Sequence, residues 1–579
     1  MGKMAQSVAD PGFVIANPPS RRSMPRLGFL YLLALLCLVP LYRMCPLPSR
    51  LSRFLDGWAN ENRTGSGAVD WCPLPDVVVP RNDGLRPSEH LMESRQRDLQ
   101  VKRLSSAVQV PTESYDDNGS VDDDPRWATF GDFHSVLAEL FPLIHSKMHL
   151  RKVNRYGLLY TLNGSEPSLK PILFMAHQDV VPADGSSGWT YPPYAGHCDG
   201  SFVWGRGSSD CKNVLIGILS AIESLLSQSF APRRTVVLSF GFDEETGGKR
   251  GATKLSQALV QEWGEGSFLF AMDEGGMGVQ SLGDVMYAYP GVGEKGYYDV
   301  ELELKVRGGH SSRPPPHTGI GIMADVTLAL ENANYQPRLT ESSPFRRVLE
   351  CRAAYSPKHV DPWVHDILHS GQEEISRELA EELGEEQWLV QTSQAVDVVS
   401  GGIKVNALPE TVRLMINHRV MMHESIDAVD QHIYDALTPI AKKYNLEFRK
   451  VSVGDKDEGT SSGGVLSVKP LQTLPPAPLT PTGSNSVWQA FSGTLRQVFE
   501  TTDAGRGKTV VPVGNIMTGN TDTVHYWDIT RNIYRYTPAR DGTRLNTHAI
   551  DERMEMTAHL EGIRVYYDLI RNFDSWDTE

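Results

Sequence analysis

Short apolar runs alternate with longer amphipathic stretches through the first half of the chain. PILFMA at 171–176, TVVLSFGF at 235–242 and SFLFAMD at 267–273 have the length and residue types of buried strands, and VLIGILSAIESLL at 214–226 has the length of a buried helix. Strand, helix, strand, strand in that order predicts an α/β layer sandwich. The pattern changes after Gly291-Val292-Gly293. YYDVELELKV at 297–306 alternates like a half-exposed strand, IGIMADVTLALENA at 320–333 is helical, and TVRLMINHRV at 411–420 and EFRKVSV at 447–453 are strands again. This βαββαβ-like order predicts a ferredoxin-like α+β module inserted into the first domain. Within it, QEEISRELAEELGEEQW at 372–388 reads as a charged helical insertion with a solvated face rather than a binding surface. The Pro-rich LQTLPPAPLTPTGS at 471–484 marks the return to the first domain.

The N-terminal part follows another pattern. LGFLYLLALLCLVPLY, from Leu27 to Tyr42, is an uncharged Leu-rich run between Arg26 and Arg43. Its sixteen residues make about 24 Å of helix, short of a typical bilayer core but workable with flanking arginines. A cleaved signal peptide is the competing interpretation of that length, but no A-x-A-like site follows. Lys3, Arg21, Arg22 and Arg26 precede the run and favour a cytosolic N-terminus. The expected organisation is a cytosolic tail at 1–26, a membrane-spanning signal anchor at 27–43, a Pro- and Gly-rich stalk at 44–88, the first domain at 89–294, the inserted module at 295–454, and a linker with the remainder of the first domain at 455–579. Sequons at Asn62, Asn118 and Asn163 agree with a lumenal body.

Composition narrows the function classes. With 71 acidic against 56 basic residues the net charge is -15, which repels phosphate backbones and argues against a nucleic-acid partner. The six cysteines form no CxxC pair and no dense framework, so neither a thiolate zinc site nor a disulfide scaffold is expected; a Cys198–Cys211 pair has no support beyond proximity in sequence.

The candidate chemistry lies where the apolar runs end, the usual place for functional groups in an α/β sheet. His177-Gln178-Asp179 follows PILFMA, Asp210 stands in GRGSSDCKN, Glu244 and Glu245 in FDEETGG, Asp273 in LFAMDEGG and His548 in NTHAIDER. Singly, each has a bland explanation as a structural histidine or a surface charge. Together they supply two imidazoles and several carboxylates, a donor set suited to zinc. If Asp210, Glu245 and Asp273 all coordinate, three negative charges face the four positive charges of two ions, whereas a single ion would be over-charged.

The order HxD, D in GRGxxDxK, EE, D and a distant H resembles the di-zinc metallopeptidases that include aminoacylase and the glutamate-releasing carboxypeptidases. HSSRPP at 310–315, NALPE at 406–410, TGNTDTVHYWD at 518–528 and IYRYTPAR at 533–540 resemble the carboxypeptidase S branch of that family. The resemblance implies two Zn²⁺ per subunit, one held by His177 and Asp273 and the other by Glu245 and His548, with Asp210 between them and a cis peptide at Asp210-Cys211. It implies Asp179 as the partner of His177 and Glu244 as the general base. From the lid, His310 would stabilise the oxyanion, and Asn406 and Arg419 would grip the substrate carboxylate. The implied activity is hydrolysis of the C-terminal amide of Gly-Xaa-type peptides in the vacuolar lumen, with a homodimer through the lid left open. An N-fatty-acyl amino acid amidohydrolase and a catalytically dead receptor-like homologue are the alternatives. An aminopeptidase ranks lower, because that type lacks a module between the fourth and last ligands.

Overall fold

The computed structural model describes residues 71–186, 188–451 and 463–577. The anchor expected at 27–43 and the Asn62 sequon lie outside these residues. Among the described residues no helix is long and apolar enough to cross a membrane.

The main sheet has eight strands in the spatial order His149–Val153, Gly157–Leu162, Val236–Gly241, Ile172–His177, Phe270–Asp273, Ile533–Arg535, Gly291–Glu294, Asn515–Met517. The three strands predicted from apolar runs lie side by side and parallel at its centre. Ile172–His177 is buried on both faces, which is why it reads as continuous rather than alternating. Ile172, Phe174 and Ala176 face one core, shared with the helices Lys212–Ser227, Ser486–Glu500 and Met556–Asp574. Leu173 and Met175 face another, closed by Ala252–Trp263. Helices therefore cover both faces, and each fully buried Leu or Phe contributes about 1.5–3 kcal/mol to holding the layers together.

The inserted module is a five-stranded sheet in the order Ser393–Gly401, Thr411–Val420, Gly296–Lys305, Val465–Leu474, Glu447–Lys450. Gly296–Lys305 and Thr411–Val420 alternate between buried and accessible residues because one face packs on Gly319–Asn332 and Ile426–Lys443. Two of its strands escape the sequence pattern. Ser393–Gly401 is an exposed edge with weak alternation, and Val465–Leu474 runs into the Pro-rich stretch expected to be only a linker.

Three expectations are corrected. Residues from Trp71 onward are not a free stalk: Val78 N–H donates to Gly493 O at 3.1 Å, and Arg571 pairs with Asp83 at 2.7 Å. Backbone hydrogen bonds hold this segment, so it carries no hydrophobic period. A disulfide does exist, between Cys72 and Cys351, and Cys198 and Cys211 are free. Its half-cystines are 279 positions apart and so show no local spacing. The charged insertion is only partly a solvated face. Its short elements Arg377–Glu382 and Gly384–Leu389 bury Ala380 and Leu389, and Arg352 binds Glu386 through two 2.8 Å hydrogen bonds.

Candidate active site

Parallel strands deliver the candidate residues at their C-terminal ends. His177 ends Ile172–His177, Asp273 ends Phe270–Asp273, and Glu244–Thr246 is a single helical turn just beyond Val236–Gly241. Asp210 precedes the helix Lys212–Ser227, whose positive N-terminal end favours a carboxylate there. The Asp210-Cys211 peptide is cis, as the resemblance implies. His548 comes from the far end of the chain, at φ +59° between the short strands Arg544–Leu545 and Arg553–Glu555.

Asp210 stands between the two imidazoles. Its Oδ1 lies 3.2 Å from His177 Nε2 and its Oδ2 3.1 Å from His548 Nε2. His548 Nε2 is also 3.1 Å from Glu245 Oε2. Donor atoms of Asp210, Glu245 and His548 fall within 4.8 Å of one another, and so do those of His177, Glu244 and Glu245 and those of His177, Asp210 and Cys211. Asp273 belongs to none of these trios. Its Oδ1 accepts the Glu274 N–H at 2.9 Å, while its Oδ2 is buried and finds no hydrogen-bond partner among the described residues.

Asp179 does more than steady one histidine. His177 Nδ1 lies 3.0 Å from the Asp179 backbone oxygen and 3.3 Å from its Oδ1. The same carboxylate accepts the Glu244 and Glu245 N–H groups, both at 3.1 Å, and the Ser114 hydroxyl at 2.7 Å. One buried aspartate thus fixes both the imidazole and the turn bearing the two glutamates.

The electrostatics are those of crowded, buried carboxylates around two imidazoles. Burial pushes Asp273 up to about 7 and Glu274 up to about 8, the latter also by the Asp210 charge. Burial likewise lifts Glu244 and Glu245. Hydrogen bonds to Asp210 and Glu245 push His548 up to about 10. Against its burial, the bonds from His177 and His548 hold Asp210 well below the usual carboxylate range. Divalent ions among these oxygens and nitrogens would offset the carboxylate repulsion and occupy the orphaned Asp273 Oδ2, so the donor set fits a metal pair.

The lid residues are placed differently. His310 and Ala407 pair across a two-stranded ribbon, and Ser311 N–H donates to Asn406 O at 3.3 Å, so His310 and Asn406 are neighbours. Both are exposed, and no contact joins either to the acidic cluster among the described residues. Arg419 is half-buried on Thr411–Val420 and donates to Asn520 Oδ1 at 3.1 Å. Asn520 in turn donates to Lys295 O at 2.8 Å.

Several supporting residues carry no sequence signal as single letters. Buried Glu552 accepts from Ser209 N–H at 2.9 Å, Asp210 N–H at 3.2 Å and Arg206 at 2.7 Å, tying the Asp210 loop to the segment that bears His548. Asp522 and His525 back the glutamate turn: at Gly248, φ +64°, a Cβ would lie 2.5 Å from Asp522 Oδ1 and 2.8 Å from His525 Nε2. Both residues lie in TGNTDTVHYWD, and Glu552 in NTHAIDER, so the motifs covered them without revealing their roles.

The model of the Peptidase family M20/M25/M40 matches residues 173–572. The chain is 38% identical to carboxypeptidase S of Saccharomyces cerevisiae over 83% of its own length and 85% of that protein. The chain belongs to peptidase family M20/M25/M40. Its relatives there include the mouse N-fatty-acyl-amino acid synthase/hydrolase PM20D1, 30% identical over 85% of this chain and 90% of that one. Among solved structures, the M20 family metallo-carboxypeptidase Sso-CP2 from Sulfolobus solfataricus shares the fold with a TM-score of 0.56 at 18% identity, covering 82% of this chain and 99% of that one. The three overlapping donor trios of this chain have the composition of a metal site.

Proposed function

We propose that the protein is a di-zinc metallocarboxypeptidase that hydrolyses the C-terminal amide bond of short Gly-Xaa-type peptides. The observation that carries this is Asp210, one carboxylate held between two imidazoles, with Glu245 beside His548 and the buried Oδ2 of Asp273 without a hydrogen-bond partner among the described residues. Carboxylate and imidazole donors are a ligand set that suits zinc. His177 and Asp273 would hold one ion, Glu245 and His548 the other, with Asp210 shared. Bound zinc would supply Lewis-acid polarisation of the scissile carbonyl and positive charge for the developing oxyanion. Glu244 takes a proton from the attacking water and passes it to the leaving nitrogen. Asp179 keeps Glu244 and His177 in register throughout. His310 is assigned to the oxyanion, and Asn406 with Arg419 to the substrate carboxylate, where a guanidinium offers two aligned hydrogen bonds.

The location proposed is the vacuolar lumen, with the segment 27–43 as membrane tether. The Cys72–Cys351 disulfide supports an oxidising compartment. Asn163 is exposed and open to a glycan. Asn118 is not: it is buried, with its Oδ1 accepting the Tyr115 N–H at 2.6 Å. Should the chain form a homodimer, the exposed lid edge bearing Val398 and Val399 is the available surface.

The likeness to PM20D1 supports one second reading, hydrolysis of N-fatty-acyl amino acids, which would use the same carboxylate grip. Purified protein assayed on Gly-Leu, Gly-Leu amide and an N-oleoyl amino acid separates the two. Rapid turnover of Gly-Leu with little of its amide is expected. Turnover of the oleoyl substrate alone would favour the second reading, and similar rates on acid and amide would overturn both.

A further inference from the structure

A cavity of about 540 Å³ opens between the turn Gly384–Leu389 and the strand Asn515–Met517. Met277, Trp388, Leu389, Ile516 and Met517 give it an apolar lining, with Gly519 at one edge. Met277 and Trp388 are each 38% exposed, large apolar side chains that a folded protein leaves in solvent at some cost. Two chain segments lead from the cavity to the site. Its wall at Gly276 lies three positions beyond Asp273, and Met517 Sδ accepts the Gly276 N–H at 3.2 Å. Its edge at Gly519 adjoins Asn520, the partner of Arg419.

One wall is the short turn Gly384–Leu389, and it is held by several hydrogen bonds. Arg352 clamps Glu386 and donates to Tyr289 Oη at 2.9 Å. Fully buried Lys295 donates through Nζ to Trp388 O at 3.0 Å and Gln391 O at 2.9 Å, while its own backbone oxygen holds Asn520. Lys295 therefore fixes the cavity wall and the Arg419 contact to one another. Exposed Glu385 on the rim disfavours an acidic occupant.

We propose that this cavity receives the apolar side chain of the substrate residue that carries the free carboxylate, so that the insertion sets preference at the leaving residue. This rests on the function proposed above, since it takes Arg419 as the partner of that carboxylate. A residue anchored there would place its side chain toward the Gly519 edge, and a pre-formed slot with a mainly apolar lining gains affinity with each methylene removed from water.

Two variants test it. Gly519 has no heavy atom within 4 Å of an added Cβ and no positive φ, so Gly519→Leu narrows the cavity without forcing the backbone. Trp388→Ala widens it at a partly exposed position. Each is assayed with Gly-Ala, Gly-Leu and Gly-Phe, with Leu-Gly and Phe-Gly as the reversed series, and metal content is measured alongside. Both variants are expected to lower the Gly-Leu to Gly-Ala ratio of kcat/KM by about 10-fold, mainly through KM, and to leave the reversed series in its native order. Equal losses across the Gly-Xaa peptides, or a change that follows the N-terminal residue, would overturn the cavity's role and leave the carboxypeptidase assignment standing. A metal-loaded native enzyme that cleaves no Gly-Xaa peptide would overturn the assignment and the cavity's role with it.

Discussion

The rim of the main sheet carries the residues assigned to the metals and the water, the inserted module those assigned to the substrate, and the two are built in opposite ways. At the rim all the candidates but Asp273 are cross-braced: Asp179 holds the glutamate turn, Glu552 holds the Asp210 loop, and Asp210 meets both histidines. On the ribbon His310 and Asn406 are exposed, with local hydrogen bonds alone. Arg419 alone of the three lid residues is tied to the main body, through Asn520. The difference teaches that the chemistry is pre-organised in the fold, whereas part of the recognition depends on elements free to meet the substrate.

The sharpest way to break this contrast is at its most connected residue. Asp210→Ala is expected to abolish turnover and to weaken both metals together, because one carboxylate offsets the repulsion between them. Metal analysis showing one tightly held ion left behind would mean the rim is two independent sites. Glu244→Ala is the next largest, with kcat expected to fall about 10²- to 10⁴-fold at native metal content. Near-normal kcat would remove Glu244 from the proton path.

Arg419→Ala probes the lid side. Loss of a charge-assisted contact should cost about 1.5–3 kcal/mol, roughly 10- to 100-fold in kcat/KM on free-acid peptides and little on their amides. Arg419→Lys should recover part of it, since the charge remains and the fork is gone. Equal losses on acid and amide would make Arg419 a structural link to Asn520 and nothing more. The smallest effect on activity is expected for Cys72→Ser. Opening a covalent loop of this size should lower stability by about 2–4 kcal/mol, seen as a fall in Tm, with kcat/KM near native. A large fall in kcat/KM in the folded variant would show that the insertion is part of the catalytic unit.

The same contrast explains what the sequence made legible. The strands at 171–176, 235–242 and 267–273 are fully buried and parallel, so their apolar runs are unbroken, and the residues ending them stand at the rim. Asp210, Glu245 and His548 come together as the motif order implies. Glu552 and Asp522 were not legible as supports, because their partners lie hundreds of positions away or in another loop. The edge strand Ser393–Gly401 has no fully buried residue on either face, so no clear period marks it. The Cys72–Cys351 bridge and the cavity beside Trp388 both arise from how the insertion packs on the main body, which no local spacing encodes.

Metal stoichiometry of the purified chain tests the central claim most directly. Elemental analysis of active protein should give two zinc ions per chain, with turnover of Gly-Leu lost on chelation and restored when two equivalents are returned. One ion per chain at full activity, or activity that survives chelation, would contradict a dinuclear site organised around Asp210.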